Sequence, residues 1–410
     1  MPSFTRRALL SQLLVAAAPV DPDAGKHTLV CVFLRGGADT LNLLVPYGDD
    51  VYYRKRPTLA IAPPDKGPEG KRSVRLDDFY ALHPALKPFA EKFYDGRLSF
   101  VQAVGIKDNL SGSHFDSQDQ MEHGDAASGA PAGGGWLGRF LRTRMETKAS
   151  PLQAIALGTK LPESLRGAPS ASVLQTIEEI AIKTPSKKPD AATAALKQLY
   201  GADVTLLGER GRESLELFKT ISEMQHKAYL PANGAVYPKD PFGNGMREIA
   251  RLIKAGVGLE VACIDLVNWD THFFQGSADG AQADRARILG EGIAAFEADL
   301  KQQRRNVSVF VMTEFGRRIY ENSSLGTDHG RGFAAMLFSD KIKGGRIIGP
   351  RHFLDDDGEK GTEGMTVVGG MRIEFDFRDL FSEVLRGTMG FQQGGAIFPG
   401  AKGSRIGLLA

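Results

Sequence analysis

VSVFVMTEFGRRIYENSSLGTDHGRG, residues 307–332, decides how this chain reads: an apolar run breaks off in charge, and an Asp-His-Gly turn follows soon after. Val307, Val309 and Val311 alternate with Ser308, Phe310 and Met312, so the run is bulky on both faces, as a strand buried within a parallel sheet must be. No charge interrupts it before Glu314. Ligands of open parallel sheets sit outside the carboxyl ends of the strands, which puts Glu314, Arg317, Asp328 and His329 where an ion or substrate belongs. Glu, Asp and His are also ligand types for a divalent metal, and the glycines among them permit close backbone approach. The plainer reading is a charge-rich surface loop, but loops that follow buried strands carry sites more often than other loops do.

Working outward, the same pattern recurs. TLVCVFL (28–34) is a second buried run, and it ends in Arg35-Gly36-Gly37-Ala38-Asp39. A strand over Leu259–Val267 ends in Asn268-Trp269-Asp270-Thr271-His272, and an amphipathic helix over Ala283–Gln303 then leads to the 307–312 strand. That is a βαβ unit, and it predicts the two strands as neighbours. A strand over Leu98–Val104 leads into NLSGSHFDSQDQMEHG (109–124), in which Ser113 suits the N-cap of a helix running to about His123. Pro84 opens a helix to Tyr94, and residues 55–75, rich in Pro, Gly and Lys, read as a surface excursion. A short strand over Ala334–Phe338 and a closing helix over Arg378–Met389 complete the core. Between them, residues 150–258 change to helices joined by links such as KTPSKKPD, with Leu215, Phe218, Ile221 and Met224 at helical spacing. This stretch reads as a helix-rich insertion or cap on a core that spans 27–410.

Composition narrows the function classes. The chain has 410 residues, and its 51 Lys and Arg balance 49 acidic residues to a net charge of +2, so no global field recruits nucleic acid or an anionic membrane. Its two cysteines, Cys31 and Cys263, each lie inside an apolar run, where a cysteine is by default a small buried hydrophobe; a disulfide across a parallel sheet would be strained. Residues 1–20 carry Arg6-Arg7 before a weakly apolar stretch ending Ala16-Ala17-Ala18, the make-up of a twin-arginine export signal. No other segment approaches the ~18 apolar residues of a membrane span, so no stable membrane insertion is expected.

Several strand ends therefore offer ligands: Asp39, the 111–116 loop, Asp270 with His272, and Glu314 with Asp328 and His329 beyond. Histidines and carboxylates converging from separate strand ends are the usual make-up of a hydrolytic metal centre. Arg35, Arg317 and Arg331 lie within a few residues of these ligands, where a guanidinium can bind an anionic ester bidentately.

The motifs GGADTLN (36–42), SHFDSQDQMEHG (113–124), WDTH (269–272), TEFGR (313–317) and TDHGRG (327–332), in that order behind a twin-arginine signal, closely resemble the bacterial exported family known as domain of unknown function 1501. That family in turn resembles the alkaline phosphatase and sulfatase superfamily. The resemblance implies an alkaline-phosphatase-like α/β fold: a mixed, mostly parallel sheet flanked by helices, with a helical insertion. It also implies Asp39 as the acidic ligand after the first strand, Ser113 as nucleophile at a helix start, and Asp270, His272 and His329 around one metal. Glu314 takes the place of the second metal's aspartate, and Arg378–Met389 that of the helix closing the core. Phe315 stands where the superfamily has a histidine, so that site has lost a ligand or borrows one, with His114 as the candidate. No sulfatase cysteine motif occurs.

The expected protein is thus exported to the periplasm or cell envelope. The metal-ligating candidates are Asp39, Asp270, His272, Glu314, Asp328 and His329, and the catalytic candidates are Ser113, His114, Arg35 and Arg317. The cofactor is a divalent metal, zinc, manganese, calcium or magnesium, and the partner a small anionic ester of phosphate or sulfate. The alternative is a non-catalytic envelope protein that keeps the fold and binds a ligand through the same cleft.

Overall fold

The computed structural model describes residues 27–107, 112–125, 133–144, 150–180, 189–352, 354 and 370–409. The segment with Arg6 and Arg7 lies outside them. Nine strands form one sheet: β1 (Thr28–Leu34), β2 (Leu98–Gly105), β3 (Ala154–Leu157), β4 (Ser172–Leu174), β5 (Val261–Leu266), β6 (Val307–Met312), β7 (Phe333–Phe338), β8 (Arg346–Ile348) and β9 (Phe375–Asp376). Their order is β8-β2-β7-β6-β1-β5-β3-β4, with β9 paired to the end of β2. Every pairing is parallel except those of β7, which runs antiparallel to both β6 and β2. This is a mixed, mostly parallel sheet flanked by helices.

The helices that matter are α1 (Lys87–Tyr94), α2 (His114–His123), α3 (Trp136–Arg142), α4 (Pro189–Ala202), α5 (Leu206–Gln225), α6 (Pro241–Ala255), α7 (Ala281–Asp299) and α8 (Phe377–Met389). Alternation along each strand sends successive side chains to opposite faces. On β1, Val30, Val32 and Leu34 join Phe89 of α1, Met246 of α6 and Ile293 of α7. Leu29, Cys31 and Phe33 join Trp136 of α3 and Phe381 of α8. With both faces covered, every residue of β1 and β6 is buried, which is why these strands are apolar but for Thr28 and Ser308 and carry no charge.

Two expectations change. β5 and β6 are not neighbours: β1 pairs with both and lies between them. The α7 crossover is long enough to step over a strand, and nothing local to the sequence tells that the first strand of the chain fills the gap. Because all three are parallel, their carboxyl ends still share one edge. Residues 150–258 hold α4, α5 and α6, but also β3 and β4, which extend the sheet beyond β5, while α6 packs into the main core through Phe242, Met246, Ile249 and Leu252. Strands of four and three residues are too short for alternation to register. Cys31 and Cys263 are direct register partners across β1 and β5, both buried and both free thiols.

Candidate metal centre

The carboxyl ends of β2, β1, β5 and β6 meet at one edge, and a single buried side chain ties the loops after β1, β5 and β6 together. Arg317 donates from Nε to the Gly37 carbonyl (2.6 Å), from Nη1 to the Thr327 carbonyl (2.8 Å) and from Nη2 to Asp270 Oδ1 (2.6 Å). Its position requires close passage of the β1 loop: a side chain on Gly36, whose φ is +116°, would meet the Asp270 backbone nitrogen at 2.6 Å. The glycines of GGAD thus let two loops touch, and the arginine fixes how they touch.

Around Asp270 stand three histidines. His272 Nε2 lies 3.1 Å, His329 Nε2 3.3 Å and His114 Nε2 3.5 Å from the same oxygen, Oδ1. The other ring nitrogen of each is held. His329 Nδ1 lies 2.8 Å from the Gly112 carbonyl, His272 Nδ1 3.0 Å from Asp328 Oδ1, and His114 Nδ1 2.8 Å from Glu314 Oε1. A carbonyl or carboxylate oxygen only accepts, so each Nδ1 carries a proton and each ring turns its Nε2 toward Asp270, where it presents a lone pair whenever the ring is neutral. His272 Nε2 and His329 Nε2 are 2.9 Å apart, and His114 Nε2 is buried with no hydrogen-bond partner among the described residues. Lone pairs facing one another over a carboxylate repel unless a cation joins them. The donor atoms of His114, Asp270 and His329 all lie within 4.8 Å of one another, within reach of one ion. Imidazoles oriented through Nδ1 by carboxylates and a carbonyl are the usual support of metal-ligating histidines.

The electrostatics agree. Burial opposes ionisation of Asp270, yet its contacts with His114, His329 and Arg317 outweigh that and hold its carboxyl far below the ordinary range. Burial likewise opposes charge on His114, but Asp270 and Glu314 prevail and raise its pKa to about 9. The cluster therefore favours positive charge at its centre, as a proton or as a metal ion.

The structure sorts the sequence candidates into distinct roles. Asp270, His272 and His329 come together with His114, which the sequence offered as a catalytic group and as a borrowed ligand. Asp328 orients His272 and is itself held by Asn322 Nδ2 at 3.0 Å. Glu314 is buried, and its Oε1 accepts from the Gly36 amide (2.9 Å), Gln118 Nε2 (2.9 Å) and His114. Its contacts orient the His114 imidazole. Asp39 stands apart from the cluster: fully buried, it forks onto Arg56 at 2.6 and 3.0 Å and accepts from Gln275 Nε2 at 2.6 Å. Arg56 belongs to the stretch expected as a surface excursion, yet it is wholly buried. Ser113 caps α2, its oxygen accepting from the Asp116 amide at 3.4 Å. Arg317 is committed to the loops, and Arg35 to Asp265 (2.8 Å), Gln118 and Glu122, so neither is free to take an anion. Arg331 differs: its Nη2 donates to the Lys107 carbonyl (3.3 Å), its Nε is buried without a partner among the described residues, and it lines a small cavity with Gly112, Glu314 and Phe315. Phe315 packs its ring 4.8 Å from both His114 and His329. The sequence did not point to Arg56, Gln118, Gln275 or Asn322, or to the Gly112 carbonyl. Amides, lone arginines and backbone groups carry no spacing signature.

Residues 26–360 match the family described as a protein of unknown function, DUF1501. The chain belongs to that family. No curated protein matches this DUF1501 member in sequence. Solved structures similar to it include Ps i-CgsB in complex with k-i-k-neocarrahexaose (8% identity, 92% of this chain and 75% of that one, TM-score 0.39). They also include the alkaline phosphatase from the Antarctic bacterium TAB5 (8%, 89% and 99%, 0.31) and the C-terminal periplasmic domain of EcEptC from Escherichia coli in complex with Zn (10%, 77% and 73%, 0.33). Likenesses this loose carry no chemistry, which rests instead on the side chains gathered around Asp270.

Proposed function

We propose that this DUF1501 protein is a metal-dependent hydrolase of anionic esters, of phosphate or of sulfate, working at one ion held by His114, His272, His329 and Asp270. The observation that supports it is the convergence of three Nδ1-anchored imidazoles on one carboxylate oxygen. Neutral imidazole and carboxylate suit zinc or manganese. When bound, such an ion polarises an ester oxygen and acidifies a coordinated water. The chain's own residues do the rest. Glu314, the Gly112 carbonyl and Asp328 fix the three rings, and Arg317 fixes Asp270. Arg331, whose Nη2 reaches the Lys107 carbonyl at 3.3 Å, offers the rest of its guanidinium to the anion, and Ser113, next to His114 at the start of α2, offers a hydroxyl nucleophile. The side chain of Asp270 is nearly half exposed, so the centre can be reached from solvent.

Elemental analysis of the purified protein, joined to turnover of p-nitrophenyl phosphate and p-nitrophenyl sulfate, tests this. About one equivalent of metal and turnover abolished by a chelator is the expected result. Metal without turnover of either ester favours the envelope binding protein, and a protein that takes up no metal sinks both the centre and the hydrolase. Export by the twin-arginine route belongs to the same proposal, supported by Arg6-Arg7 ahead of a weakly apolar stretch. Compartment fractionation that finds the protein in the cytoplasm removes it.

A further inference from the structure

The chain has 23 phenylalanines, and three are strongly exposed among the described residues: Phe115 (88%), Phe273 (68%) and Phe274 (75%). Each lies one or two positions from a proposed metal ligand, Phe115 directly after His114, and Phe273 and Phe274 directly after His272. Leu325 (43%) joins them from the loop that leads to Asp328 and His329. Singly exposed apolar residues need no explanation; large apolar side chains gathered at one site do.

Their exposure is built in. The Phe274 amide donates to the Ser324 carbonyl (3.0 Å) and the Gln275 amide to the Leu325 carbonyl (2.9 Å), so the 272–276 and 322–327 loops are zipped together. Asn322 Nδ2 clasps both the His272 carbonyl and Asp328 Oδ1, each at 3.0 Å. Within this clasp Phe274 (φ 46°) and Leu325 (φ 57°) occupy the left-handed region, which bulky side chains rarely adopt. Backbone strain of this kind persists only where the surroundings impose it, and it gathers at functional sites. The loops that orient His272 are thus the loops that hold Phe273, Phe274 and Leu325 out, and the Phe273 ring lies 6.3 Å from that of His272.

We infer that this rim takes the hydrocarbon part of an amphiphilic substrate: an anionic ester whose charged head meets the histidine cluster while an alkyl or acyl chain lies on Phe115, Phe273, Phe274 and Leu325. The inference rests on the proposed metal-dependent reading, of which it names the substrate class. A wholly polar ester would leave the three rings in water and gain nothing from them. An apolar chain beside a head group at the metal gains up to about fourfold in affinity per methylene that it buries.

The test uses the full-length, metal-loaded protein and linear alkyl phosphonates from methyl to decyl, which cannot be hydrolysed, below their micellar concentrations. Calorimetry is expected to show affinity rising about twofold to fourfold per methylene over the first several carbons. The dependence should flatten in Phe273→Ser, Phe274→Ser protein, whose metal content serves as the check on folding. A flat series in the wild type, with methylphosphonate still bound, overturns the rim and leaves the metal centre standing. So does a chain-length dependence that the double variant keeps. A flat series accompanied by binding to phosphatidylcholine vesicles, lost in the double variant, overturns it in favour of a membrane surface. Chain-length dependence in a protein that takes up no metal keeps the rim and removes the hydrolytic reading.

Discussion

Asp39 and Asp270 both follow buried parallel strands, and each is held by a buried arginine from elsewhere in the chain, yet the structure treats them oppositely. Asp39 is sealed: Arg56 and Gln275 cover its carboxylate, and none of it meets solvent. Asp270 keeps one buried arginine, Arg317, and spends the same oxygen on three imidazoles at a surface that solvent reaches. An acid after a strand is therefore half a statement. What completes it, a permanent cation or a ring of lone pairs awaiting one, comes from residues far away in the chain. A fixed guanidinium closes the first position for good, whereas imidazoles leave the second open to exchange.

The sharpest way to break this comparison is to remove the permanent cation. Arg56→Ala strands a fully buried carboxylate, and breaking a buried pair from one side costs about 3–5 kcal/mol. The urea midpoint should fall accordingly, while metal content per folded molecule stays unchanged. Adding Asp39→Asn should restore part of the loss. A cost below about 1 kcal/mol for Arg56→Ala would mean that Asp39 tolerates solitude, and the contrast with Asp270 would dissolve.

The next effect belongs to the open position. A ligand that binds only the folded state stabilises by about 4 kcal/mol at a thousandfold excess over its Kd. His272→Ala and His329→Ala should each remove that increment, so that the melting temperature no longer responds to added metal. His226, exposed at the end of α5, provides the control His226→Ala, which should respond as the wild type does. Full metal retention in the His272→Ala, His329→Ala double variant would refute the centre.

How much of this was legible in the sequence depends on the range of each signal. β1 and β6 were readable to the residue because burial on both faces removes every charge from their sequences. The Ser113 cap and the start of α2 were readable because capping is local. Asp270, His272 and His329 announced themselves as metal-ligand types at strand ends. His114 was offered as a borrowed ligand, but its anchoring was not legible, since nothing near it in sequence tells that Glu314, two hundred residues on, takes its Nδ1. The misplacement of Asp39 has the same cause: its partner Arg56 sits among Pro and Gly residues that look like surface. The order of β5, β1 and β6 is a property of the assembled sheet, and β3 and β4 are shorter than the period that would reveal them.

A smaller effect separates holding a ligand from being one. Glu314→Gln keeps an acceptor for His114 but loses the charge, and such supporting changes typically cost 10–100-fold in metal affinity without abolishing binding. The pH dependence of the metal-free protein should change with it. Burial opposes ionisation of Glu314, but hydrogen bonds from His114 and Gln118 hold its pKa below the ordinary value. Its contribution is therefore present above the unfolded value of about 4.3 and lost as pH falls through the lower folded one. In Glu314→Gln the acid limb of urea midpoint against pH should be shallower in that window. An unchanged limb, or complete loss of metal, would contradict the orienting role.

The smallest expected effect on stability comes from Ser113, and it bears on whether the open position does chemistry at all. The Ser113 oxygen accepts from the Asp116 amide at 3.4 Å, a long bond, so Ser113→Ala should cost about 0.5–1 kcal/mol as a lost N-cap, and Ser113→Gly only a few tenths. Both substitutions remove the hydroxyl. If the side chain acts only as a cap, both variants should keep their turnover, because a loss of about 1 kcal/mol against a stability of about 5–15 kcal/mol leaves the protein folded. If the hydroxyl attacks the ester, Ala and Gly should lose turnover alike while both keep the metal and differ slightly in melting temperature. The second pattern is the expected one. Equal and undiminished turnover in both variants would assign the attack to a water molecule and leave Ser113 to the helix.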